Sequence, residues 1–102
     1  MILNVEGMAS YADYFLIASG SSTRQVQAVA DFLERKAREH GVHALSVEGQ
    51  SSGKWVLLDF GSVVVHLFYE PVREFYDLEG LWVDAPRLPL PPERSGQTAS
   101  AS

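Results

Sequence analysis

Gly61-Ser62 stands between two apolar runs, inside the stretch GKWVLLDFGSVVVHLFY that spans Gly53 to Tyr69. Glycine at the first central position of a two-residue loop suits a type II′ turn, whose twist matches that of two paired strands. That turn fixes the pairing. Phe60 faces Val63, Asp59 faces Val64, Leu58 faces Val65, Leu57 faces His66, Val56 faces Leu67 and Trp55 faces Phe68. Side chains alternate between faces, so one face carries Val56, Leu58, Phe60, Val63, Val65 and Leu67 and must pack inward. The other carries Trp55, Leu57, Asp59, Val64, His66 and Phe68. A slip of one residue would exchange the two sets, so both assignments depend on the turn.

The second face has two readings. Wide aromatic side chains beside a few polar groups have the makeup of a protein-binding hot spot, whereas a plain solvated face would carry Lys, Glu and Thr. Alternatively a short helix over Pro71–Leu78, or an N-terminal segment, covers it. Asp59 and His66 would then be satisfied core polar groups.

The rest of the chain supplies the partners of this hairpin. ILNV reads as a short strand, and DYFLIAS (Asp13 to Ser19) as a strand buried on both faces, ended by Gly20. In SSTRQVQAVADFLERKAREHG, Ser22 and Gln25 form a capping box. Val26, Val29, Ala30, Leu33 and Ala37 then recur at the spacing of one buried helical stripe. Asp31 with Arg35 and Glu34 with Arg38 are i, i+4 pairs, and Gly41 supplies the left-handed stop. Ala44–Glu48 reads as a strand reached by a right-handed parallel crossover, and Pro71 opens a short helix. The expectation is one α/β domain over residues 1–85, a mixed five-stranded sheet with helices packed on it and a β-hairpin toward its C-terminal end. Pro86, Pro89, Pro91 and Pro92, then small polar residues, make residues 86–102 an extended segment and disordered tail.

Composition removes several classes of function. A net charge of −5 disfavours tracking a nucleic-acid backbone and favours a basic protein partner. The chain has no cysteine, so thiolate chemistry and cysteine metal sites are excluded. No apolar run has the length of a membrane helix, and MILNVEGM lacks the basic start of a secretory signal; a cytoplasmic location is expected. His40, His43 and His66 have no zinc-site spacing, and no metal or other cofactor is expected.

Smaller signals each have two readings. SGSST at the start of the helix could hold an anion or simply cap it. Arg24 there could hold a phosphate or carboxylate, or lie solvated on the surface. Asp59 and His66 could form an acid–base pair or, more commonly for such neighbours, a hydrogen bond bridging two strands, Asp13 and Glu48 an ion pair or a binding acid, and Trp82 a core or lid aromatic.

DYFLIASGSSTRQVQAVAD, SVEG, KWVLLDFGSVVVHLFY, REFYDLEGLW and DAP together resemble the ribosomal silencing factor family, also called Iojap-like proteins, from about Val5 to Pro86. The resemblance implies a nucleotidyltransferase-like fold and a translation regulator that is not an enzyme. It implies binding to the large ribosomal subunit through the fourteenth large-subunit ribosomal protein, with little nucleic-acid contact. Joining of the small subunit would be blocked and translation repressed under nutrient limitation. Carried onto matching positions, the partner-binding residues would be Glu48, Trp55, Asp59, Phe60, His66 and Phe68, although the pairing above turns Phe60 inward. The family's extra helix before the first strand has no counterpart here, so a second copy, in a homodimer, would cover that flank. The alternative is a small nucleotide-binding or nucleotidyltransferase-like enzyme using Gly20, Ser21, Arg24 and Asp59. Its metal site looks incomplete, because LLDF offers a single aspartate.

Overall fold

The computed structural model describes residues 1–89. In chain order the elements are β1 (Ile2–Asn4), β2 (Tyr14–Gly20), α1 (Thr23–Glu39), β3 (Ser46–Glu48), β4 (Trp55–Asp59), β5 (Val63–Tyr69), α2 (Glu70–Tyr76), α3 (Leu78–Leu81) and β6 (Arg87–Leu88). All six strands form one mixed sheet in the order β3-β4-β5-β2-β1-β6. The sixth strand comes from the segment read as extended and outside the domain: Leu88 pairs with Ile2 and Arg87 with Leu3, so this stretch is an edge of the sheet. The tail expected beyond Pro89 lies outside the described residues.

The hairpin has the register that the turn dictates, from Trp55 opposite Phe68 to Asp59 opposite Val64. The Phe60 N–H donates to the Val63 carbonyl at 2.9 Å, and Gly61 takes the positive φ of 94° that the turn requires. The centre of the sheet is a parallel pair, β2 against β5, running from Tyr14 opposite Val63 to Gly20 opposite Tyr69. Strand β3 runs in the direction of β2 but lies three places away, because the hairpin folds back between them.

Helix α1 begins and ends by named hydrogen bonds. Ser22 Oγ accepts from the Gln25 N–H at 3.0 Å, while Gln25 Oε1 accepts from the N–H of Ser21 at 2.6 Å, one residue earlier than a standard capping box. At the far end the Gly41 N–H donates to the Arg38 carbonyl and the Val42 N–H to that of Ala37, a Schellman closure with Gly41 at φ 80°. Glu34 pairs with Arg38 at 3.6 Å. Asp31 does not pair with Arg35; its Oδ1 accepts from Gln50 Nε2 at 2.9 Å and ties the β3–β4 loop to the helix. Gly49, in that loop at φ 81°, passes so close to Trp55 that a Cβ would collide with its carbonyl.

The sheet separates two cores. On one face Val26 and Ala30 of α1 pack on Val56, Leu58, Val65 and Leu67. On the other Leu3, Val5, Phe15, Ile17, Val64 and Phe68 are covered by Leu78 and Ala85. Val64 and Phe68, which share a face of β5 with His66, are therefore sealed by the segment after the hairpin.

Candidate docking face of the sheet

The face carrying Trp55, His66 and Phe68 divides into a covered half and an open half. Over the covered half, α2 lies on β5 and β2. Two residues direct the chain there: Pro71 fixes φ in the first turn of α2, and Asp77 takes a left-handed φ of 46° between α2 and α3. The Arg73 guanidinium then clamps the cover, with Nη2 donating to Glu79 Oε2 at 3.0 Å and Nη1 to Ser19 Oγ at 2.7 Å. These bonds hold the Glu79 carboxyl below its ordinary range. Trp82 closes the far side, edge-on to Phe15 at 5.2 Å between ring centroids.

The open half is β4 and β3. Trp55, Leu57 and Asp59 alternate along β4 and are partly exposed, while exposed Glu48 on β3 pairs with Leu57 and exposed Ser46 with Asp59. Trp55 and Asp59 are four residues apart, about 13 Å at the rise of a strand. A cleft of about 350 Å³ adjoins the Trp55 end, lined by Lys54, Trp55, Pro71, Val72, Phe75 and Tyr76, among others. Phe75 is 81% and Tyr76 52% exposed, and the Tyr76 ring lies 5.0 Å from that of Trp55.

The six side chains expected at the interface thus separate. Glu48, Trp55 and Asp59 share the open half. Phe68 is 0% and His66 5% exposed, so neither faces outward as expected; the cover seals both. Phe60 packs on the opposite face with the α1 core, as the pairing implied. Asp59 and His66 do not pair with each other: Asp59 Oδ1 accepts from the Gly61 N–H at 2.8 Å, and His66 Nδ1 accepts from the Trp55 indole N–H at 3.1 Å. Phe75 and Tyr76 were not anticipated. Their signal was present, since Val72, Phe75 and Tyr76 fall at i, i+3 and i+4 and form one stripe of a short helix.

Burial in apolar surroundings lowers the pKa of His66 from 6.5 to about 4. The unfolded chain therefore takes up this proton first as the pH falls. His66 therefore carries no protonation penalty above pH 6.5, and the fold loses stability through it as pH falls toward 4. Between pH 7 and pH 5 the loss should be about 2 kcal/mol. Urea unfolding at the two pH values, compared with the same pair in His66→Phe, isolates this contribution; equal pH slopes in both proteins would contradict it.

The residues of the nucleotide-site alternative do not converge. Gly20 is level with Tyr69, while Asp59 is level with Val64, five residues further back along β5, or about 16 Å. The Ser21 N–H already donates to Gln25, and a Cβ on Gly20 would lie 2.9 Å from Val26 Cγ2, so this glycine serves close packing of strand on helix. Among the described residues no three His, Asp or Glu side chains gather in a way that could hold a metal ion, and no helix is long and apolar enough to cross a membrane.

These features define a small α/β protein with one sheet face half sealed and half open, the open half aromatic and acidic. The chain belongs to the ribosomal silencing factor family: the family model described as "Ribosomal silencing factor during starvation" matches residues 1–102. A ribosomal silencing factor of Halalkalibacterium halodurans is 47% identical over 88 residues, covering 86% of this chain and 75% of that protein. A crystal structure of a protein from Chromobacterium violaceum superposes with a TM-score of 0.79 at 36% identity, covering 95% of this chain and 79% of that one. A mouse protein named for mitochondrial assembly of the ribosomal large subunit is 36% identical over 84 residues, 79% of this chain and 37% of its own length.

Proposed function

We propose that this chain docks on the large ribosomal subunit through the open half of its sheet and so keeps the small subunit from joining. Translation then falls when nutrients are scarce. Family membership and the names of the relatives support a role on the ribosome, and the mouse relative's name supports the large subunit as the partner. The observation that carries the reading is the uncovered β3–β4 half-face, where an aromatic edge stands beside two carboxylates in an acidic chain. Apolar area at Trp55, Leu57, Phe75 and Tyr76 would supply most of the affinity. Glu48 and Asp59 would set orientation against basic groups of the fourteenth large-subunit ribosomal protein. The role is one of occlusion, not catalysis, and is exercised in the cytoplasm, in little contact with nucleic acid.

Sedimentation tests this reading. The purified protein should travel with large subunits and reduce the yield of joined ribosomes when small subunits are added. Failure to travel with large subunits overturns the proposal. Glu48→Lys, at an exposed position, should leave the fold unchanged, weaken binding several-fold and flatten its dependence on salt; an unchanged affinity and salt slope would remove Glu48 from the interface. Homodimerisation is part of the same reading. Among the described residues no strand pairs with the outer edge of β6, a strand of two residues, which leaves that flank for a second copy, and sedimentation velocity of the protein alone reports it.

The nucleotide-binding alternative makes a separate expectation. With Gly20 and Asp59 offset by about 16 Å along the strand direction and on opposite sides of β5, nucleotides with magnesium should leave the thermal midpoint unchanged, whereas a rise that saturates with concentration would favour that alternative.

A further inference from the structure

We propose that His66 is a positioning residue for docking: its buried ring holds the Trp55 indole in the orientation that the open half-face presents. The proposal rests on the docking reading above. Trp55 stands at the partly exposed start of β4, where a large side chain has several rotamers open to it. Its ring is flanked by Phe68 at 4.8 Å and Tyr76 at 5.0 Å, contacts without direction. Direction comes from one hydrogen bond, the indole N–H donating to His66 Nδ1 at 3.1 Å. The two residues are diagonal neighbours across the hairpin, since Trp55 pairs with Phe68 and Leu57 with His66.

The environment of His66 argues that this bond is the reason for the residue. Because Nδ1 accepts, the neutral ring carries its proton on Nε2. Nε2 is buried and has no partner among the described residues. Around the ring stand Phe15 at 5.1 Å and Phe68 at 6.3 Å. A phenylalanine would suit such a place and leave no donor unmet, whereas an unpaired buried donor weakens the fold. The ring's one side-chain hydrogen bond among the described residues goes to Trp55, so what the histidine provides lies there and not in stability.

The test compares the full chain with His66→Phe and with His66→Gln, whose amide oxygen can again accept. In the free proteins, hydrogen exchange of the Trp55 indole N–H is followed by NMR, the resonance being assigned with Trp55→Phe. In parallel, the thermal midpoint and the affinity for large subunits are measured. In His66→Phe we expect indole exchange at least tenfold faster, a midpoint equal or higher, and affinity reduced about tenfold; His66→Gln should restore slow exchange and most of the affinity. A lower midpoint with affinity falling in step would make His66 merely structural and overturn the proposal. So would fast exchange with unchanged affinity, or exchange as in the unaltered chain. Should the unaltered chain itself fail to bind large subunits, the docking reading falls, and positioning for docking falls with it, while the exchange data still decide whether His66 orients the indole.

Discussion

Phe68→Ala is expected to lower the free energy of unfolding by about 3–5 kcal/mol, as measured by urea denaturation. Phe68 is fully buried and packs in the core with Phe15, Ile17 and Val64. Removing its ring leaves a cavity between the sheet and the cover formed by α2, α3 and the chain that follows them, and that cover has few apolar side chains with which to collapse. A domain of this size has about 5–15 kcal/mol to lose, so the variant should be close to unfolding at 37 °C. If instead it unfolds like the unaltered protein but no longer binds large subunits, Phe68 is a contact residue and the cover opens in the complex.

Trp55→Ala should have the complementary result. Binding to large subunits should weaken by about 2 kcal/mol or more, roughly thirtyfold, because a wide aromatic at the edge of a cleft has the position of a hot spot. Trp55 is only partly buried, so its loss should cost the fold less than the loss of Phe68. The β4 backbone should keep its place, since the Tyr69 N–H bond to the Lys54 carbonyl at 2.9 Å and the close approach of Gly49 do not involve the indole. Unchanged affinity in a folded Trp55→Ala protein would remove the centre of the proposed interface. The two variants together separate a side chain that the fold needs from one that the partner needs, although both stand on the same face of the hairpin.

That face is also where the sequence was hardest to read. The hairpin register was legible because one turn, Gly61-Ser62, fixes every pair above it. The α1 boundaries were legible because Ser22, Gln25 and Gly41 act locally. The pairing of β2 with β5 was not, since it joins two apolar runs almost 50 residues apart, and no local signal chooses the neighbour of a strand buried on both sides. Nor did β6 look like a strand, because Arg87–Leu88 lies between prolines and gains its partners only from β1. Alternation put Trp55, Asp59, His66 and Phe68 on one side correctly, but alternation cannot say how far a remote segment extends across that side. The cover stops between β5 and β4, leaving Trp55 and Asp59 outside and His66 and Phe68 beneath it. Leu78, Trp82 and Ala85 were the available hint, but Leu81 and Val83 stand among them and are exposed, so apolar character alone does not pick out the side chains that cover the sheet.

Hydrogen–deuterium exchange of the protein alone and bound to large subunits tests the docking face most directly. New protection is expected over Ser46–Asp59 and at Phe75–Tyr76, with the exposed side of α1 around Phe32 unchanged. Protection confined to α1, with β3 and β4 exchanging as in the free protein, would contradict it.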